Sequence, residues 1–256
     1  MTDDRYRSPL GTRYASPEMQ RLWGEPHRIG LWRRVWLALA ECEKELGLGI
    51  PDAAISEMKA HLDIADLAKA AEYEKRFRHD VMAHVHQFGD QAPAARGVIH
   101  LGATSAFVTD NADVVVMREG LRVVLGRLLA VLDALEAFAA RWRNTPCLAY
   151  THFQPAQLTT VGKRATLWMQ DLALDVEEAI RRIEMLRLRG CKGTTGTQAS
   201  FLELFHGDHA KVRELERRFV GRMGFDACFA VTGQMVEQLL RVGRAVDRGA
   251  ERRLSR

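Results

Sequence analysis

Ala112–Arg143 reads ADVVVMREGLRVVLGRLLAVLDALEAFAARWR, and its periodicity decides the fold class. Val114, Met117, Leu121, Val124, Leu128, Val131, Leu135, Phe138 and Trp142 recur every three or four residues, the spacing of one face of an α-helix. At about 1.5 Å per residue, such a helix runs about 45–50 Å. Asn144 and Pro146 end it. A second stripe follows, through Leu158, Val161, Ala165, Trp168, Leu172, Val176, Ile180, Ile183 and Leu186, and predicts an antiparallel partner from near Pro155 to about Arg189. Two helices of this length cannot bury their apolar stripes against each other alone, so the pattern implies a bundle, and an intermolecular one.

The flanking sequence is helical as well. Residues 1–16 read as an irregular arm, with turn signals at Ser8-Pro9 and Ser16-Pro17. A helix is expected over 26–46, stopped by Gly47 and Gly49, and another opens at Pro51-Asp52. Asp63 caps a third, through Ala68, Ala71, Phe77, Val81 and Val85. Residues 97–111 mix Gly, Thr, Ser and His without a helical period and read as a loop, with Asp110 or Asn111 as the N-cap of the long helix. Cys191–Ser200 is a second hydroxyl-rich loop, and a helix follows over 208–221. No stretch alternates as a strand would. The fold class read from the sequence is all-α: a small helical N-terminal domain over 1–111, then part of a long-helix bundle over 112–256.

Composition narrows the function. The 256 residues are 47% apolar and 27% charged, with a net charge of +4, an ordinary globular balance. Residues 235–256 hold six Arg and three acids, so the remainder is near neutral and gives no case for nucleic acid. Cys42, Cys147, Cys191 and Cys228 form no C-x-x-C pair and read as free thiols of a reducing compartment. MTDDRYRSPL has no apolar signal region and no run is long enough to span a membrane, so the cytoplasm is expected, with no membrane partner.

Polar residues gather in the breaks between helices: Arg13-Tyr14; Arg78-His79-Asp80, with His84 and His86 behind; His100 to Ser105; Thr151 to Gln157; and Lys192 to Gln198. His84 and His86 diverge on a helix and read as one core and one surface residue. His79 and His84 are five apart, where a helical two-His metal site wants four, so no metal is expected. His206 and His209 read as a helix-end surface. Gly102, Thr104 and Ser105 lie beside a long-helix start, and the Gly193–Thr197 loop, with Lys192 beside it, has the same chemistry; hydroxyls and free N–H groups hold carboxylate or phosphate. His152 lies three residues before Pro155, and an imidazole is a side chain that can serve as acid or base at neutral pH. These features together suit a multiply anionic small molecule.

The strings SPLGTRYASPEM, KRFRHDVMAHVHQFG, IHLGATSAFVTDN, THFQPAQLTTVGKR, KGTTGTQASFLELF and VTGQ resemble, in order and spacing, the successive motifs of the adenylosuccinate lyase family, over about residues 6–234. GATS and THFQPAQ are shared with the wider fumarase/aspartase superfamily, while RYASPEM and KGTTGTQASF narrow the match. A lyase acting on argininosuccinate fits these last motifs less well. The resemblance implies a fumarase/aspartase-like all-α fold, a tetramer whose sites draw on three subunits, and a β-elimination that releases fumarate from adenylosuccinate or from the succinylated imidazole carboxamide ribotide without metal or cofactor. It implies His152 as general acid and His79 as the histidine supporting it. Arg13 and Tyr14 become phosphate contacts, Thr104 and Ser105 carboxylate contacts, and Arg78, Asp80, His100, Thr151 and Gln234 further substrate contacts.

The sequence departs from the family where it would carry a Ser-Ser-x-Met-Pro-x-Lys-x-Asn loop with the serine base: no such string occurs. Residues 235–256 match nothing in the family. The expectation is a frameshift or premature end of a full-length gene, with a deliberately shortened domain second, and with these residues inactive alone. The alternative is a catalytically silent helical protein that self-associates or binds nucleotide.

Overall fold

A computed structural model describes residues 7–233. They fall into two compact units, one built from residues up to Met117 and from Arg187 onward, the other being Arg118–Leu186.

The first unit centres on α2 (Glu25–Glu45), whose buried residues Ile29, Trp32, Val35, Trp36, Leu39 and Cys42 lie on more than one face, as expected of a central helix. Short α1 (Pro17–Leu22), capped by Ser16, leads into it. Gly47, at φ +97°, turns the chain after it, a backbone angle that suits glycine. α3 (Asp52–Ala60), α4 (Leu67–Phe77), α5 (Asp80–Gln91), α8 (Ala199–Leu204) and α9 (His209–Arg222) complete the unit. Arg33, buried inside α2, donates to the carbonyl of His61 and to Gln87, and to Gln91 Oε1 at 2.7 Å. Its guanidinium also lies 4.4 Å from the Phe88 ring centroid. Arg218 and Arg222 of α9 pair with Glu41 and Glu45 of α2.

The expected third helix is instead two. Asp66, not Asp63, caps α4 by accepting from Lys69 N–H at 2.9 Å, and Arg78, at φ +54°, ends it in the left-handed region. His79 then caps α5. α6 (Ser105–Arg141) crosses both units and begins seven residues before the expected start. Ala106, Phe107 and Val108 are buried, so tertiary burial carries the helix back through a stretch whose composition reads as loop. Asn111 is therefore no cap: its amide bonds Phe107 O at 2.8 Å and both polar groups of the Gly190 backbone.

The second unit holds a β-hairpin where no strand was expected. β1 (Pro146–Thr151) pairs antiparallel with β2 (Gln154–Thr160), irregular between Leu148 and Tyr150. Pro155 sits at the start of β2, not at a helix start; α7 (Val161–Met185) opens six residues later, with Thr160 accepting from Lys163 N–H at 3.1 Å. α7 also ends before Arg189, because Leu186 is extended and Leu188 bridges in parallel to Cys228. Gly162 lies against the end of α6, where a Cβ would stand 2.3 Å from Ala139 O. Of α7 only Gly162, Ala165 and Ala179 are buried, while Leu167, Trp168, Leu174 and Ile180 are exposed, as are Val124, Leu129, Val131 and Phe138 of α6. Among the described residues, the long-helix stripes thus lack sufficient cover. No helix among the described residues is long and apolar enough to cross a membrane.

Candidate functional site

Two helix N-termini and the 189–198 loop bring most of the expected residues of the first unit together. His79, as N-cap of α5, accepts from Met82 N–H through Nδ1 at 3.4 Å. Its Nε2 lies 3.1 Å from Oγ of Ser105, the first residue of α6. Asp80 Oδ1 accepts from Val81 N–H at 2.7 Å and stands 3.5 Å from His79 Nδ1. Thr104 Oγ1 meets Thr194 Oγ1 at 2.9 Å, which joins the two hydroxyl-rich loops. Ser200 Oγ donates to Gly102 O at 2.6 Å and ties α8 to the same turn. Gly102 has φ +63°, and a Cβ there would meet Leu204 at 2.6 Å, so a side chain is excluded on both counts.

His100 Nδ1 accepts a hydrogen bond from buried Trp36 Nε1–H, at 2.9 Å. Burial, with the neighbouring His79 adding to it, pushes its imidazole down to about 4. The ring is therefore neutral at neutral pH.

The 189–198 loop is braced from below. Fully buried Arg189 pairs with Asp110 Oδ2 at 2.6 Å and donates to Gly193 O. Cys191 N–H donates to Glu216 Oε1 at 3.0 Å. Lys192 is not beside an anion site as its position in the loop suggested: it is buried, bonded to Glu216 and to Arg189 O. Gly196, at φ +83°, lies so close to Thr232 O that no side chain fits.

Arg13 and Tyr14 end a short π-helical turn, Leu10–Tyr14, and are exposed, without a hydrogen bond to the cluster among the described residues. Arg78 is exposed on its left-handed turn. Gln234 lies outside the described residues. Thr151 and His152 belong to the second unit: Thr151 pairs with Gln154, and His152-Phe153 form the two-residue hairpin tip. Both tip residues have positive φ, +50° and +58°, the pattern of a type I′ turn that glycine and asparagine favour. Neither is glycine or asparagine, so the tip holds backbone strain while it exposes both side chains. As expected, His84 is buried and His86 exposed. Sequence reasoning missed Trp36, 64 residues from its partner, and the Asp110–Arg189 and Asn111–Gly190 braces.

The sequence profile of the lyase family matches residues 35–211. The chain belongs to this family. Adenylosuccinate lyase of Saccharomyces cerevisiae is 52% identical over 234 residues, covering 90% of this chain and 48% of the relative. That of Schizosaccharomyces pombe is 51% identical, over 91% of this chain and 49% of the relative. The chain thus spans about half the length of the curated family members it matches. A fumarate lyase from Mesorhizobium sp. BNC1 superposes with a TM-score of 0.72 at 24% identity, over 85% of this chain and 50% of that one. The 3-carboxy-cis,cis-muconate lactonizing enzyme of Pseudomonas putida gives 0.72 at 20%, over 87% and 50%. These two share the family's helical fold.

Proposed function

We propose that this chain supplies the substrate-holding half and the acid of an adenylosuccinate lyase: a β-elimination that releases fumarate from adenylosuccinate, leaving AMP, and from the succinylated imidazole carboxamide ribotide. The observation that carries the reading is the juxtaposition of His79, Thr104, Ser105 and Thr194, a set of hydroxyl and imidazole groups at two helix N-termini, in a chain half identical to enzymes of that name. Such a set stabilises the charge that develops on a succinyl carboxylate as the neighbouring carbon loses its proton. His152 protonates the leaving nitrogen, and its place at an exposed, strained hairpin tip suits a group that reaches a substrate held elsewhere. Arg13 and Tyr14 hold the nucleotide phosphate, and Arg78, Asp80, His100, Thr151 and Gln234 complete the contacts. The proton acceptor is a serine on a loop that these 256 residues do not contain.

The exposed apolar residues of α6 and α7 favour assembly with further copies, a tetramer in this reading, in the cytoplasm. Residues 1–111 supply substrate loops to that assembly, and α6 and α7 its bundle helices. The same exposed residues support the second reading, a self-associating helical protein without catalysis.

Product identity tests the proposal. A hybrid in which residues 7–233 replace the aligned half of the Saccharomyces cerevisiae relative is incubated with adenylosuccinate. Fumarate and AMP are expected in equal amounts. A hybrid that is helical and assembled yet releases neither overturns the assignment.

A further inference from the structure

His100 is held from the core side. Trp36, with no exposed surface in the middle of α2, donates Nε1–H to His100 Nδ1 at 2.9 Å. The two rings meet edge to face, with centroids 6.0 Å apart and an interplanar angle of 85°. Trp36 is itself fixed by Phe88, stacked at 6.2 Å, and by Trp32, edge-on at 6.3 Å. The indole cannot turn away without disturbing the centre of the first unit.

An indole N–H donates and never accepts. The nitrogen facing it must therefore carry the lone pair, and in a neutral imidazole the single proton then sits on Nε2. We propose that Trp36 is a positioning residue of the candidate site: by occupying Nδ1 it holds His100 as the Nε2–H tautomer, so that the ring offers an N–H donor and not a basic nitrogen.

This deepens the proposed function, since it rests on reading the His79, Thr104 and Ser105 cluster as the substrate site. The tautomer itself does not depend on that reading. Protonating His100 would set an Nδ1–H against the indole N–H, and half-buried surroundings oppose the charge as well. Among titratable groups of the described residues, His79 is the one that acts on this ring, and its positive charge would oppose protonation too. His100 thereby serves as a fixed donor to an anionic oxygen of the ligand. A carboxylate fits such a donor; a ligand group that must itself donate does not.

The test uses the full 256-residue chain with 15N-labelled histidine and no ligand. Long-range 1H–15N correlation is expected to show Nδ1 of His100 unprotonated and Nε2 protonated, unchanged from about pH 5 to pH 8, across the range where an ordinary imidazole titrates. A scalar coupling from Trp36 Nε1–H to that Nδ1 is expected beside it. In Trp36→Phe the tautomers should mix and the ring should titrate closer to the ordinary histidine value. If that variant does not fold, the coupling in the unsubstituted chain decides. A protonated Nδ1, a mixture of tautomers, or absence of the coupling in the unsubstituted chain overturns the proposal. A confirmed tautomer beside a hybrid without lyase activity leaves the positioning role of Trp36 toward His100 standing and removes only the functional reading.

Discussion

His79 Nε2 and Ser105 Oγ lie 3.1 Å apart, which links the N-cap of α5 to the first residue of α6. One imidazole thus orients a hydroxyl beside unsatisfied helix N–H groups, the arrangement that favours an oxyanion. Ser105→Ala in the hybrid enzyme is expected to lower kcat by about a hundredfold or more, with the helix content kept, as loss of one well-placed donor does elsewhere. Steady-state kinetics on adenylosuccinate measures this. An unchanged kcat removes Ser105 from the site.

Glu43 is fully buried in α2, and neither of its carboxyl oxygens has a hydrogen-bond partner among the described residues. Burial pushes the group up to about 9 from 4.5. The folded chain therefore holds a proton that the unfolded chain releases. Stability from this group is fully present below pH 4.5 and is lost as pH rises toward 9. Glu43→Gln keeps the shape and cannot ionise. Its melting temperature should exceed that of the parent at pH 8 and match it near pH 4.5; equal melting at pH 8 would show that the carboxyl has a partner.

Two glycines of the second unit should respond in opposite senses to alanine. Gly162 has no room for a Cβ beside Ala139 O and Arg143, so Gly162→Ala should cost about 1–3 kcal/mol. Gly126, inside α6, has open space around it, and Gly126→Ala should stabilise by about 0.5–1 kcal/mol. Denaturant melts of the pair decide whether the α6–α7 corner is as close as described.

The helical class and the two long helices were legible because apolar residues recur at helical spacing from Val114 to Trp142 and from Leu158 to Leu186. The breaks were less so. Arg78-His79 contains neither Gly nor Pro, yet Arg78 takes a left-handed angle and ends a helix, and nothing local announces this. The hairpin was hidden because β1 and β2 are exposed or half-exposed at every position and so need no apolar alternation, while Pro155 imitates a helix start. At the site, the hydroxyl loops and His79 could be picked out by residue type. What binds them could not: Thr104 meets Thr194 from 90 positions away, and Arg189 reaches Asp110 from 79.

Trp168 and Leu174 are more than half exposed on α7. In a polypeptide of these residues they should drive association, because isolated apolar patches of this kind are removed from water by contact with another copy. Light scattering at micromolar concentration should report oligomers for the parent and a smaller species for Trp168→Glu with Leu174→Glu. A monomeric parent would contradict the assembly.

In the proposed lyase, His152 at the tip of the β1–β2 hairpin is the acid. The most direct measurement is the loss of adenylosuccinate absorbance in the hybrid, with and without His152→Ala. The parent hybrid should turn over at about 1 per second or faster, within the ordinary enzyme range. His152→Ala should fall by about two to four orders of magnitude without change in assembly, the loss typical of a missing general acid. A His152→Ala hybrid that keeps its rate would show that the proton comes from another group and that the hairpin tip does not perform the chemistry assigned to it.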